Sequence, residues 1–344
     1  MSPLTTTILF SSLGLGTILT MSSHHWLMAW IGLEINTLAI IPMISQQHHP
    51  RATEAATKYF LTQATASALI LFSSTTNAWT TGTWDITQMT NPTSTTLLTA
   101  ALAMKLGLAP THFWLPEVLQ GTKMNTALII TTWQKLAPMS LIYLTIHTLS
   151  PTILLLMGML SSLLGGWGGL NQTQTRKLMA YSSIAHLGWM ATISTILPNI
   201  LILTLVIYLL MTTTMFSTLI ILKSKTLQDL TTTWTTTPTI TTISLLTLLS
   251  LGGLPPLTGF MPKWLILEEL TMQNLTPTAT IMAMSALLSL FFYLRLTYTT
   301  TLTMAPNTTP TKHKWRFKTP SPKLLTMTTP TTLLMLPMTP LLTS

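Results

Sequence analysis

Four ionisable side chains stand inside stretches that are otherwise apolar: Glu34, Lys105, Lys135 and Lys263. A charged group near the middle of a bilayer costs at least about 2.5–3.5 kcal/mol on the most lenient insertion scale. A plain anchor would carry leucine at such positions, so these four are the candidates for chemistry. Burial disfavours the charged form of a lysine, and one carboxylate cannot pair with three of them. Amines in that situation exchange protons near neutral pH, which suits a proton relay. We expect Glu34 to stabilise protonated Lys105, and its movement away to push the proton towards Lys135 and then Lys263. The competing reading is a static clamp, in which Glu34 and one lysine hold two helices together. It leaves at least two lysines without a purpose.

Two histidines join this set. His112 lies in AMKLGLAPTHFWLPEVLQ, a segment interrupted by Gly107, Pro110 and Pro116, and His186 lies in YSSIAHLGWM. Either is suited to pass protons between lysines or to hold water against backbone carbonyls freed by the interruption. A haem would need paired ligands at one depth on neighbouring helices, and His186 has no obvious partner. His24, His25, His48 and His49 fall at segment ends and read as interfacial. Zero cysteines exclude thiolate metal sites and iron–sulfur clusters on this chain. No phosphate-binding loop, nucleophile triad, dinucleotide fingerprint or metal cluster is evident, so no cofactor is expected here.

The elements that position these residues follow from composition. Only 7% of the 344 residues are charged and 48% are hydrophobic, against roughly 25% charged in a soluble domain. The chain reads as an all-α polytopic membrane protein. Segments of spanning length number eleven, at about 3–21, 26–44, 58–78, 96–116, 125–146, 152–170, 178–195, 199–222, 240–267, 277–297 and 324–342. Abundant threonine inside them is tolerable because its hydroxyl can bond the carbonyl one turn back. Apart from Lys105, Lys135 and Lys263, every basic residue falls at loops on one side of this alternation. That is the positive-inside pattern, with the N-terminus inside and the C-terminus outside.

The net charge of +9 is scattered over short loops, so nucleic acid is not a partner. No charge precedes Glu34, and the first segment reads as a retained span. The run GGWGG at 165–169 suits close helix packing. Lys312 to Lys318, with Trp315 and Phe317, form a basic aromatic loop suited to anionic lipid head groups or a partner subunit.

A faint internal repeat links spans 4 and 9. LGLAPTHFWLP has Pro110 and Pro116 where LGGLPPLTGFMPK has Pro256 and Pro262, and each segment carries one buried lysine. Spans five apart have opposite topology, so the two units would be inverted. Gly/Pro-interrupted segments at matching places in inverted halves point to a transporter's ion path; two unrelated proline-kinked helices are the alternative. The expected organisation is a single transmembrane domain, with one half at 1–147, a second at 148–300, and a basic loop and final helix at 301–344.

The stretches SSHHWLMAWIGLEINTLAIIP, YFLTQATAS, KLGLAPTHFWLPEVLQG, WQKLAPMS, RKLMAYSSIAHLGWM and LGGLPPLTGFMPKW carry a resemblance over most of the chain. It is similar to the antiporter-like membrane subunits of mitochondrial NADH:ubiquinone oxidoreductase (respiratory complex I), in the short vertebrate-type form of subunit 2. High Thr and Met without Cys also resembles vertebrate mitochondrial coding.

The resemblance implies inverted repeats of five helices, broken at spans 4 and 9, in the mitochondrial inner membrane, with the N-terminus on the matrix side. It implies Glu34 and Lys105 as a coupling pair, Lys135 as the central relay and Lys263 as the terminal residue, with His112 and His186 along the same axis. It also implies that FMN, iron–sulfur clusters and ubiquinone lie on other subunits. The implied neighbours are subunits 3, 4, 4L and 6, accessory subunits, and phospholipids including cardiolipin. A free-standing cation/proton antiporter of the same fold, or a structural spacer subunit, are the other readings.

Overall fold

The computed structural model describes residues 2–47, 49–302, 311–312 and 323–343. Lys314, Arg316 and Lys318 of the basic loop, and His48, lie outside the described residues. Among those described, regular structure is helical, with two isolated β-bridges, His25–Asp85 and Gln174–Thr226, tying loops together. The helices fall into two units, Met1–Ser161 with Ser194–Pro198, and Ser162–Ile193 with Asn199–Ser344.

The first unit begins with α1 (Pro3–Ser22), α2 (Trp26–Ile44) and α3 (Pro50–Thr81). Next come α4 (Pro92–Leu106), α5 (Trp114–Gly121), α6 (Met124–Thr131) and α7 (Trp133–Leu144). Starts are set locally. Proline opens α1, α3 and α4, where its missing N–H is no loss. His25 and His49, expected only to be interfacial, are N-caps: their Nδ1 atoms accept from the N–H groups of Leu27 and Arg51, both at 3.2 Å. Helices α1 and α2 cross closely at two glycines. A Cβ on Gly16 would sit 2.8 Å from the Gly32 carbonyl, and one on Gly32 2.8 Å from the Gly16 carbonyl.

Helix α8 (Pro151–Gly169) begins in the first unit and ends in the second. The second unit continues with α9 (Thr175–Ser194), α10 (Pro198–Leu222), α11 (Leu227–Thr232), α12 (Pro238–Gly252) and α13 (Phe260–Met272). It closes with α14 (Thr276–Thr301), α15 (Lys323–Leu334) and α16 (Thr339–Thr343). The GGWGG glycines do pack helices: a Cβ on Gly165 would lie 2.6 Å from the Ala185 N of α9, and one on Gly166 2.9 Å from Leu288 Cβ of α14. Threonine back-bonding is pervasive, as in Thr20 to Thr17 O at 2.8 Å and Thr214 to Met211 O at 2.7 Å.

By length and apolarity alone, five helices among the described residues can cross a membrane: α1, α2, α8, α10 and α14. The other expected segments differ for two reasons. Helices α3 and α9 are long enough but too rich in polar residues. The segments at 96–116, 125–146, 240–267 and 324–342 are each divided into shorter helices, so none reaches spanning length in one piece.

Helix α11 shows how a loop helix is secured. Thr226 accepts from the Asp229 N–H, and the Asp229 carboxylate accepts from the Thr226 and Lys225 N–H groups at 2.9 and 3.0 Å. Partial burial pushes this carboxyl up, but the backbone donors outweigh it and hold it below the usual aspartate range. The cap's contribution is therefore complete above that range and is lost as pH falls through the lowered value. Asp229→Ala should loosen the helix by about 1 kcal/mol at neutral pH. Hydrogen exchange of residues 225–232 should show the same loss of protection in the variant at neutral pH as in the parent at strongly acidic pH.

Candidate functional site

Helices α4 and α12 end in the same way. Each has 15 residues and starts at a proline, and each stops before a glycine at φ +77°, Gly107 or Gly253. The Gly107 N–H bonds the Met104 carbonyl and the Leu108 N–H the Ala103 carbonyl; Gly253 to Ser250 and Leu254 to Leu249 repeat this pattern. It is the Schellman closure, which needs a left-handed residue and favours glycine. Each connecting interval, 107–113 and 253–259, contains a cis X-Pro bond, Ala109–Pro110 and Pro255–Pro256. Helix then resumes at Trp114 and at Phe260.

A Schellman closure leaves the last carbonyls of the helix needing donors, at the end where the helix dipole is negative. A lysine Nζ fills that need in each unit. Lys135 Nζ, from α7, donates to the Leu106 carbonyl at 2.6 Å. Lys263 Nζ, from α13, donates to the Gly252 carbonyl at 2.8 Å. Leu106 and Gly252 are equivalent residues, each immediately before the left-handed glycine. The donors are not equivalent, since Lys263 follows its own interval directly while Lys135 reaches in from a later helix. Lys135 also sits 5.4 Å from the centroid of the Trp114 ring, which attracts a cation to its face. Trp114 is fixed in turn by its Nε1–H bond to the Met104 carbonyl.

The structure brings Lys105 and Lys135 together on one cavity, lined also by Thr37, Tyr59 and Gln63. It offers about 10 Å³ in which the centre of a water molecule can sit, the scale of a single water. Lys105 is 4% exposed, and its Nζ makes no hydrogen bond among the described residues. Glu34 stands beside this cavity rather than on it. Its carboxylate accepts from the Thr37 hydroxyl at 2.9 Å and acts on Lys105 through space. The two form no ion pair. Among the described residues, the ion pairs are those of Lys58 with Glu54 and with Glu117, which tie α3 to α5 at the surface.

His112 is buried between α4 and α5 with its ring 4.2 Å from that of Phe113, away from the lysine cavity. His186 does meet a lysine. It lines a second cavity with Lys263, Tyr208 and Thr204, with about 20 Å³ for a water centre. Its ring lies 5.8 Å from that of Tyr208. Residue types alone pointed to neither Asn36 nor Gln63, two buried amides on the first cavity; uncharged amides in apolar helices gave too weak a signal. No group of three metal-binding side chains occurs among the described residues.

The family described as NADH:quinone oxidoreductase/Mrp antiporter, TM, matches residues 23–289, and that described as NADH dehydrogenase subunit 2 C-terminus matches 290–343. The chain is 59% identical over 341 residues to the NADH-ubiquinone oxidoreductase chain 2 of Tetraodon nigroviridis, covering 99% of this chain and 98% of the relative. It is 60% identical over 343 residues to that of Varanus timorensis, covering 99% of both. In fold it is similar to a chain of the respiratory complex I from Thermus thermophilus, with a TM-score of 0.82 and 27% identity over 96% of this chain and 78% of the other. The chain thus belongs to the NADH:quinone oxidoreductase/Mrp antiporter transmembrane family, among its NADH-ubiquinone oxidoreductase chain 2 members.

Proposed function

We propose that this chain is a membrane subunit of the proton-pumping NADH:ubiquinone oxidoreductase of the mitochondrial inner membrane. It moves protons through buried lysines while electron transfer proceeds on other subunits. The observation that carries this reading is the pair of buried lysine amino groups, one per unit, each held at the end of a helix beside a water-sized cavity. In the first unit, Glu34 near Lys105 favours the protonated amine. When Glu34 moves away, Lys105 yields its proton across the shared cavity to Lys135, where the α4 dipole and Trp114 receive the charge. Lys263 holds the corresponding proton in the second unit, with His186 beside it. His112 lies off the first cavity and serves as a further proton group in the same unit.

On this reading the helices make eleven crossings. Helices α4 with α5, and α12 with α13, each form one broken crossing at matching places in inverted halves, 1–147 and 148–300, followed by residues 301–344. The N-terminus faces the matrix and the C-terminus the intermembrane space. FMN, iron–sulfur clusters and ubiquinone belong to other subunits. The neighbours are subunits 3, 4, 4L and 6, accessory subunits and phospholipids, cardiolipin included.

The test takes the native mass of the detergent-solubilised species with its NADH:quinone activity, then compares Lys105→Leu and Glu34→Gln with the parent in sealed vesicles. The expected result is a very large NADH-oxidising assembly in all three, with proton translocation lowered about tenfold or more in the variants. A small species that moves cations without NADH would instead mark a free-standing antiporter. Unchanged translocation in both variants would leave only a spacer.

A further inference from the structure

Three buried side chains on the first cavity carry atoms with no hydrogen-bond partner among the described residues: Asn36 through both Oδ1 and Nδ2, Gln63 through Nε2, and Lys105 through Nζ. Asn36 is 1% exposed and Gln63 5%. Buried amide groups in proteins are almost always hydrogen-bonded, so a cluster of such groups on one cavity needs a common explanation. The cavity has room on the scale of one water, and a buried water typically takes two to four polar partners. An amide supplies both a donor and an acceptor, which a lysine cannot.

Asn36 is also tied in through its backbone. Its backbone carbonyl accepts from Gln134 Nε2 at 3.4 Å, and the Gln134 Oε1 faces the Tyr59 hydroxyl at 3.5 Å. Its side chain is seated against the bare backbone of α1, where a Cβ on Gly16 would lie 2.5 Å from Asn36 Oδ1. Helix α1 contributes no ionisable group to the site, yet its glycine leaves the space that Asn36 occupies.

We infer that Asn36 and Gln63 hold the water that joins Lys105 to Lys135, and are positioning residues for proton transfer between them. This rests on the relay reading above. A proton leaving Lys105 Nζ passes to the water as the water gives one of its own to Lys135. The Asn36 side-chain amide hydrogen-bonds the water throughout, and the Gln63 amide N–H donates to it. Neither amide changes its own protonation. The water's orientation, which the two amides set, decides whether the step can occur.

The experiment uses the assembled complex in sealed vesicles, with Asn36→Leu, Gln63→Leu and Asn36→Ser measured beside Lys105→Leu. Native mass checks assembly, and NADH-driven proton uptake is followed in H₂O and D₂O. The expected result is a fall in uptake of about tenfold in Asn36→Leu and Gln63→Leu, with an altered D₂O/H₂O ratio, and substantial recovery in Asn36→Ser. Normal uptake in Asn36→Leu and Gln63→Leu, with Lys105→Leu impaired, overturns the water-holding role and spares the relay. Normal uptake in Lys105→Leu overturns the relay itself. Equal loss in Asn36→Leu and Asn36→Ser with an unchanged isotope ratio assigns Asn36 to packing and overturns the inference. If Asn36→Leu does not assemble, Gln63→Leu and the ordered density in this cavity of the assembled parent decide: density within hydrogen-bond distance of Asn36 and Gln63 supports the role, and its absence overturns it.

Discussion

Lys135→Met is expected to slow proton transfer through this chain by about 10²-fold or more, the usual effect of removing a positioned proton-transfer group, while the complex still assembles. Two terms decide the stability side. The Leu106 carbonyl loses the Lys135 donor, and an unsatisfied buried acceptor costs about 1–3 kcal/mol. Against this, an apolar side chain of similar volume no longer has to bring an ammonium to a site 2% exposed, and removing a buried charge often offsets such a loss. The net change in stability is therefore small while the functional loss is large. The check is NADH-driven proton uptake alongside thermal unfolding of the assembled complex. A variant with normal uptake would sink the role given to Lys135. A variant that never assembles would show Lys135 to be a structural clamp.

The second large effect is predicted for a residue with no chemistry of its own. Gly253→Ala should impair proton translocation as strongly as loss of Lys263, through two separate penalties. Gly253 is at φ +77°, where a side chain costs about 1–2 kcal/mol. The added Cβ would also lie 2.9 Å from Lys263 Cδ and 3.0 Å from its Nζ, so the Lys263 side chain must shift from its seat at the Gly252 carbonyl. Gly82→Ala isolates the first penalty. Gly82 is at φ +72° and has nothing within 4 Å of an added Cβ. Gly253→Ala should lower thermal stability at least as much as Gly82→Ala, but only Gly253→Ala should lower proton uptake. Equal uptake in both would mean that the Lys263 contact with the helix end is incidental.

What could be known without coordinates came from cost. A lysine in an apolar segment is expensive wherever it points, so Lys105, Lys135 and Lys263 announced themselves by type and place, as did Glu34. Gly107 with Pro110 and Gly253 with Pro256 likewise announced interruptions, because backbone conformation is restricted locally. The all-helical class followed from the same local rules. Partnership did not. That Lys135 and Lys263 reach equivalent carbonyls from non-equivalent helices depends on how α7 and α13 pack, and no spacing in the chain encodes it. Glu34 and Lys105, natural partners by charge, are instead held apart, with the carboxylate on Thr37. Asn36 and Gln63 stayed invisible because an uncharged amide costs little in a sequence reading. Its expense appears only once packing has left some of its polar atoms without a partner among the described residues.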